Sequence, residues 1–450
     1  MRAYVGPLLD ICIKHPWHDQ EQVLEKRAVF NALFTGQEFV EGKLEKVMVE
    51  AHKVVRSFML SKYYFREEND FQQVLDFSEI VREQNLEARY QHLLTKLQKI
   101  QNYSQKGNVS YFHRQYLLEY AIHDEECQRN QKKGNLNIPP TIKALEMHYH
   151  LNRLALLNRF LLQQKVANIE IPETMRPLLV ENEVPERFLE DSSYLLVSYT
   201  ISNLLRKKHP EPADARGLLD LLKLHEPNLD ADALKEYYTY LRNICVLVLR
   251  NGQESEEINF TLYELYKDNL DRGYLHYEGK LHPSRYLAIS DLAARVKQYE
   301  WWLAFIEKYK HDIIGENETQ DIYRFNMASY LFGIGKYSEC LDFIPATSPF
   351  VDYLLHGKRL ELKALFELKS DLFSYKLDAF KMFLSRTSQK ILPDMQRQKN
   401  VDFNNLLTQI AASTPGDQKR AQRVIKHVDE NRNAVDWPWL LAKANALKGR

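Results

Sequence analysis

Along most of the chain, apolar residues recur three and four positions apart, the spacing that places side chains on one face of an α-helix. The pattern is clear after Asp230, a residue type that favours helix N-termini. The apolar positions that follow it are Leu234, Tyr237, Tyr238, Leu241, Cys245 and Val248. No segment shows the alternation of apolar and polar residues that is typical of a half-buried strand. The sequence therefore predicts an all-α fold.

Short stretches with glycine or proline interrupt this helical pattern. One of them runs from Gly134 to Pro140, and another from Lys207 to Pro212. None is long enough to be a flexible tether, since loops of this size commonly connect helices. We expect an N-terminal helical region at 1–135, a middle region of helical hairpins at 136–282, repeats at 283–410 and C-terminal capping helices at 411–450.

An internal repeat is the most specific pattern in the sequence. The segment that begins at Tyr299 aligns with the segment that begins at Tyr337, and the same spacing of 38 residues leads to Tyr375. A period of about 34 to 38 residues with two helices per unit is typical of helical solenoids. The residues predicted to pack between these helices are Tyr299, Leu303, Phe305, Ala328, Leu331, Gly335, Tyr337, Cys340, Leu341, Phe343, Leu365, Tyr375 and Ala379.

These segments resemble the tetratricopeptide repeat (TPR) family. Gly335, Lys336 and Tyr337 match the family's turn between two helices, while Ala328 and Cys340 match small residues at helix crossings. The other matching residues are Asn326, Tyr330, Leu331, Leu341 and Phe343. The resemblance implies an α-α superhelix of helical hairpins that binds a protein or peptide on its concave face. Residues from about 140 to 415 are also similar to a group of uncharacterised bacterial proteins with TPR-like C-terminal halves.

The overall charge gives no sign of a polyanionic partner, since the 450 residues include 61 basic and 61 acidic ones. The charge is uneven, because 14 Lys and Arg stand against 7 Asp and Glu from Lys376 to Arg450. A long helix predicted at 44–59 carries Lys46, Lys53 and Arg56 and follows a turn, which is faintly like a DNA-binding helix-turn-helix. Nucleic-acid binding by the N-terminal helices or the basic tail is therefore the alternative function.

The four cysteines, Cys12, Cys127, Cys245 and Cys340, are more than 90 residues apart. Neither a disulfide framework nor a zinc knuckle has this spacing. We expect free thiols in a reducing cytoplasm. Membrane association is not expected, because no strongly apolar run approaches the ~20 residues that span a bilayer.

A glycine-rich motif at Gly333-Ile334-Gly335-Lys336 resembles a phosphate-binding loop only in composition. Such a loop needs Gly-x4-Gly-Lys-Ser/Thr after a strand, so that backbone amides surround a phosphate. Here the spacing differs, Tyr337 follows the lysine, and both flanks are helical. Because the Gly-x-Ser-x-Gly motif of a nucleophilic serine is also missing, we expect no catalytic residues and no enzyme activity.

Two histidine motifs contain part of a metal-binding pattern. His123 and Cys127 are one helical turn apart, and His15 and His18 precede Asp19. Neither motif supplies the four ligands of a structural zinc site. We therefore expect no metal and no cofactor.

The repeat pattern and the missing catalytic motifs together favour a non-catalytic scaffold. Its expected partner is an unknown protein or peptide, with nucleic acid as the less favoured partner. Because a fold does not determine a function, the sequence leaves the identity of that partner open.

Overall fold

A computed structural model describes residues 2–14, 25–129, 136–167, 173–175, 184–250, 255–315, 319–345, 351–414 and 416–448. In these residues there is no β-sheet, only isolated bridges between Tyr277 and Lys280 and between Leu281 and Ile313. The predicted all-α fold is confirmed. The α-helices are α1 (Val5–Lys14), α2 (Lys26–Leu33), α3 (Lys43–Tyr64), α4 (Asp70–Glu83), α5 (Glu87–Tyr103), α6 (Val109–Arg129), α7 (Ile138–Ala167), α8 (Glu186–Asp191), α9 (Ser193–Arg206), α10 (Pro212–His225), α11 (Ala231–Arg250), α12 (Glu256–Asp271), α13 (Pro283–Arg295), α14 (Tyr299–Tyr309), α15 (Thr319–Gly333), α16 (Tyr337–Phe343), α17 (Val351–Glu367), α18 (Phe373–Arg386), α19 (Asp394–Ala411), α20 (Gln418–Glu430) and α21 (Trp437–Ala446).

Many consecutive helices pack against each other, which is consistent with an α-α superhelix. The chain divides into two compact units. The N-terminal unit comprises Met1–Arg206 and Asp220–Leu234, and the C-terminal unit comprises Lys207–Leu219 and Lys235–Arg450. The finer division into four regions stays a prediction.

Two hydrophobic clusters lie in the first part of the N-terminal unit. The first joins α1, α2 and the start of α3 around Phe30 and Phe34, whose rings are 4.7 Å apart. The second joins α4, α5 and α6 around Tyr90 and Leu97. The helix predicted at 44–59 is confirmed as α3, but its buried side chains all come from its first half.

Asp230 caps the start of α11, as predicted. Its Oδ1 accepts a hydrogen bond from the Ala233 backbone N–H at 2.8 Å, which satisfies one of the free amides at the helix start. Tyr194 Oη and Asn108 Nδ2 donate to Asp230 Oδ2 at 2.9 and 3.2 Å. Burial raises the pKa of Asp230, but these hydrogen bonds outweigh it and the pKa is lowered. The carboxylate is therefore a fixed structural group.

In the C-terminal unit, α13 pairs with α14, α15 with α16, and α17 with α18. A core that includes Tyr286, Trp302 and Phe305 fills the first two pairs. The Trp302 indole N–H donates to Ser290 Oγ at 2.5 Å. A Cβ on Gly333 would come within 2.9 Å of the Trp302 ring. The glycine therefore leaves the space that this indole fills.

The turns inside these three pairs have the same geometry. Lys297, Gly335 and Lys369 each stand two residues after the first helix, with φ of 57°, 81° and 51°. In each turn the backbone N–H of the next residue donates to a carbonyl five residues earlier, at 3.0, 2.9 and 3.0 Å. This pattern is the Schellman motif that ends many helices. The turn geometry therefore repeats after 38 and then after 34 residues.

Candidate binding surface of the C-terminal unit

Most residues predicted to pack between the repeat helices lie in the core of the C-terminal unit or against it. The buried ones are Phe305, Ala328, Leu331, Cys340 and Leu365. The half-buried ones that pack against the core are Tyr299, Leu303, Tyr337, Leu341 and Phe343. Gly335 is exposed in the turn between α15 and α16.

The third helix pair differs from the alignment at its second helix. α18 begins at Phe373, whose ring packs 5.7 Å from a phenylalanine of the preceding helix. Tyr337 packs in the same way in the second pair, at 5.2 Å. Tyr375 is 71% exposed and Ala379 is also exposed. The helix start recurs after 36 residues, so an alignment at 38 residues passes it by two.

The first helices of the pairs, α13, α15 and α17, come closer to one another than the second helices do. The first helices therefore form one continuous side of the C-terminal unit. This surface is called the inner face. It includes Asp291, Arg295, Phe332, His356, Arg359 and Lys363.

Asp291 and Arg295 lie one turn apart on the exposed side of α13. Asp291 is open to solvent, yet the pKa of its carboxyl is raised to about 6, mainly by desolvation and then by the negative charge of Asp436. Arg295, Lys363 and Arg359 act in the opposite direction and limit the rise in pKa. The carboxyl of Asp291 therefore responds to charges on α13 and α17 and at the start of α21.

An ion-pair network joins α17 to the residue that precedes α21. Arg359 Nε and Lys363 Nζ donate to the two carboxylate oxygens of Asp436, each at 2.9 Å. Arg359 also donates to Asn400 Oδ1 on α19 at 2.9 Å. The side chains of Arg359 and Lys363 are only 6% and 13% exposed. Because buried cations need a compensating charge, Asp436 stabilises both.

The same charges determine the protonation of their neighbours. Burial raises the pKa of Asp436, but Lys363 and Arg359 outweigh it and hold that pKa well below its ordinary range. Burial, together with these two cations, lowers the pKa of His356 to about 3. His356 is therefore neutral at pH 7 and adds no charge to the inner face.

A second set of contacts docks α21 at the C-terminal end of α17. The carboxylate of Glu367 accepts hydrogen bonds from Trp439 Nε1 at 3.0 Å and from Lys443 Nζ at 2.7 Å. Lys363 Nζ lies 5.1 Å from the centre of the Phe332 ring and 6.0 Å from that of Trp439. α21 thus covers the α17 side of the inner face, while the α13 side stays exposed.

The motifs singled out in the sequence for their chemistry lie elsewhere. Gly335 and Lys336 form the turn between α15 and α16. His123 and Cys127 are in contact on α6, with Sγ 3.7 Å from Nε2. Among the residues that the structure describes, no group of three or more side chains could hold a metal ion. The histidine motif at 15–19 falls outside the described residues.

A cavity of about 760 Å³ lies in the N-terminal unit, and its lining includes Lys106, Lys143 and Tyr194. Lys143 Nζ is paired with an Asp191 carboxylate oxygen at 2.6 Å. Tyr194 is hydrogen-bonded to the Asp230 cap of α11. These contacts fasten helices to one another, so we assign the polar groups a structural role.

The charged residues of the inner face were missed by the sequence analysis. Arg359, Lys363 and Glu367 recur at a spacing of four residues, which indicates a single helix face. That spacing was the one sequence feature that indicated a shared charged face for these three residues. Asp436 is 77 residues away from Arg359, and no local pattern links the two.

No family model matches the chain. Neither the curated proteins nor the solved structures contain a match to it. Within the described ranges, no helix combines the length and the apolar character needed to cross a membrane. The functional assignment therefore depends on the geometry of the inner face.

Proposed function

We propose that the protein is a non-catalytic, TPR-like scaffold whose inner face binds a segment of another protein. The observation that supports this proposal most is the exposed carboxylate of Asp291 on the inner face of the C-terminal unit. A carboxylate accepts hydrogen bonds from basic side chains. A polypeptide segment with a basic side chain offers such a donor.

The position of α21 supports the same proposal, because this helix already occupies part of the inner face. It is held there by the ion pairs of Asp436 with α17 and by the Trp439 and Lys443 contacts with Glu367. An incoming segment would bind beside α21, over α13 and α15. It would use the same kinds of contact that α21 uses.

A cytoplasmic location is part of this proposal. All four cysteines are free, and burial raises the pKa of both Cys245 and Cys340 to about 12. Buried thiols with a raised pKa are poor nucleophiles. Free thiols of this kind are typical of proteins in a reducing compartment.

Site-specific photo-crosslinking tests the proposal. A photoreactive amino acid replaces Ala288, which is exposed on α13 next to Asp291, or, as a control, Glu300, which is exposed at the start of α14. We expect one protein to be crosslinked from position 288 and not from position 300, and Asp291→Asn to lower the yield. Equal crosslinking from both positions, or none from position 288, contradicts the proposal.

A second candidate function, nucleic-acid binding, is favoured by one surface of α20. Lys419, Arg423 and Lys426 are exposed there, at spacings that place them on one helix face. Binding through such a stripe should weaken steeply as salt rises. Filter binding of duplex DNA and single-stranded RNA across a salt series measures this binding. The variant for comparison carries Lys419→Glu together with Arg423→Glu. No retention at low salt removes this candidate.

A further inference from the structure

The second half of α3 and the residue that follows the helix, 52–65, carry large apolar side chains in contact with solvent. Phe58 is 62% exposed, Leu60 57% and Phe65 72%. Isolated exposed apolar residues are common on protein surfaces, but a contiguous group of them marks an interaction site. This segment is therefore a candidate interface that is independent of the inner face.

The exposed segment continues a stripe that is buried in the first half of the same helix. Residues at alternating spacings of three and four lie on one side of a helix. The buried members of the stripe, which pack in the cluster of α1 and α2, are Leu44, Val47 and Ala51. The stripe continues at the same spacing with Val54, Phe58, Ser61 and Phe65. The helix therefore extends a packing surface beyond the cluster that covers its start.

The exposed apolar side chains are not confined to that stripe. At 100° per residue, Phe58 and Leu60 point about 160° apart around the helix axis. A membrane surface covers one side of a helix that lies on it. A groove formed by helices of another protein encloses a helix on more than one side. The distribution around α3 therefore favours a groove.

The charge of the segment indicates the chemistry of that groove. From Ala51 to Arg66 the sequence contains four basic residues and no acidic one. Two of the four, Lys53 and Arg66, pair with Glu50 and Glu68 just outside the segment. Within the described residues, neither Arg56 nor Lys62 takes part in an ion pair. An antiparallel pair of two α3 helices centred at Met59 would place Arg56 opposite Lys62. Self-association would thus bring like charges together, whereas an acidic partner would neutralise them.

We propose that residues 52–65, the second half of α3 with the residue that follows it, insert into a groove of another protein, with an apolar floor and an acidic rim. Phe58 and Leu60 contact opposite walls of the groove. Arg56 and Lys62 pair with carboxylates at its rim. The inner face of the C-terminal unit plays no part in this interaction.

Photo-crosslinking of the full chain in its native cells tests the proposal from both sides of the helix. A photoreactive residue replaces Phe58 or Leu60, and a third chain carries it at Glu79, exposed on α4, as the control. We expect the same protein to be crosslinked from positions 58 and 60 and not from 79. The proposal is overturned if positions 58 and 60 crosslink to different proteins. It is also overturned if they crosslink only within their own chain, only to a second copy of the chain, or to nothing.

Affinity measurements with the purified crosslinked protein then test the chemistry. Arg56→Glu with Lys62→Glu should lower the affinity about tenfold or more, and each tenfold corresponds to ~1.4 kcal/mol. The same reversal at Lys96 and Lys99, exposed on α5, should leave it unchanged. Equal losses for both double variants, or no loss for the first, overturn the proposal.

Vesicles of phosphatidylcholine and phosphatidylserine serve as the membrane probe. We expect the chain to remain in the supernatant after sedimentation of these vesicles, because a flat surface leaves half of the exposed apolar side chains uncovered. For the affinity experiment, the circular dichroism spectrum of the variant with Arg56→Glu and Lys62→Glu should keep the helical signal of the wild-type chain, which confirms that the variant is folded. Binding to the vesicles that depends on Phe58 overturns the proposal in favour of a lipid surface.

Discussion

Replacing Asp436 with asparagine tests whether ion pairs hold α21 on α17. The φ of Asp436 is 55°, and Asn adopts this backbone conformation as readily as Asp does. The substitution therefore removes the charge with little change in shape. Arg359 and Lys363 keep their positions on α17 but lose the carboxylate that lies 2.9 Å from each of them.

The expected loss of stability follows from how deeply these cations are buried. Removing one partner of a buried ion pair costs about 3 to 5 kcal/mol, whereas exposed pairs contribute less than about 1 kcal/mol. The Asp436 side chain is 25% exposed, so we expect an intermediate loss of about 2 to 3 kcal/mol. A loss of this size increases local opening of α21 about 30- to 150-fold.

The pH dependence of this loss has a definite sign. The pKa of Asp436 in the folded chain lies below its ordinary value. The ionised carboxylate therefore stabilises the fold above the ordinary carboxyl pKa, and this contribution is lost as pH falls through the lowered value. The wild-type chain and the Asp436→Asn variant should differ at pH 7 and converge in acid.

Hydrogen exchange of peptides from α21, followed by mass spectrometry, measures local opening directly. The matched control is Asp429→Asn, because Asp429 pairs with Arg432 at 2.6 Å on an exposed surface. We expect faster exchange in α21 for the Asp436 variant and less than about 0.5 kcal/mol of change for the control. Unchanged exchange in the Asp436 variant would refute the assigned role of the network.

Three further predictions concern the same unit and the thiols. Trp302→Phe removes the indole N–H that bonds a buried serine and leaves a void, so the free energy of unfolding of the C-terminal unit should fall by about 2 to 4 kcal/mol in urea titrations. The carboxyl of Asp291 should titrate near pH 6 in carbon-detected NMR, and a value near 4 contradicts the desolvation of this carboxyl. Iodoacetamide should label exposed Cys12 in the native chain but label buried Cys245 and Cys340 only after unfolding.

The helices were predictable because their apolar spacing is a local property of the sequence. Asp230 shows this well, since a capping residue acts within three residues of its own position. The third repeat shows a limit of predictions from local sequence patterns. Tyr375 matches the spacing of Tyr299 and Tyr337, yet Phe373 begins the helix and packs on its neighbour. The connection between the turn and the second helix is two residues longer in the third pair. This shifts the position of the aromatic residue that packs on the first helix, without changing the composition of the segment.

The candidate surface was less predictable, because it depends on contacts between residues far apart in the sequence. Arg359 and Lys363 are ordinary helix-face cations until Asp436 comes between them. The apolar residues of α3 show a second limit, which concerns the prediction of burial. Their spacing predicted a helix, but spacing alone does not distinguish Val47, which is buried, from Phe58, which is exposed. Only the arrangement of neighbouring helices decides which part of a stripe is covered.

Asp291 on the inner face is proposed to bind a basic group of a protein segment. The most direct test is a calorimetric titration of the segment crosslinked from position 288, as a synthetic peptide, at pH 5 and pH 7.5. The wild-type chain should bind more tightly at pH 7.5, where Asp291 is ionised. Asp291→Asn should weaken binding about tenfold at that pH, while Glu300→Gln should leave it unchanged. Equal affinities for the wild-type chain and Asp291→Asn at pH 7.5 would contradict the claim.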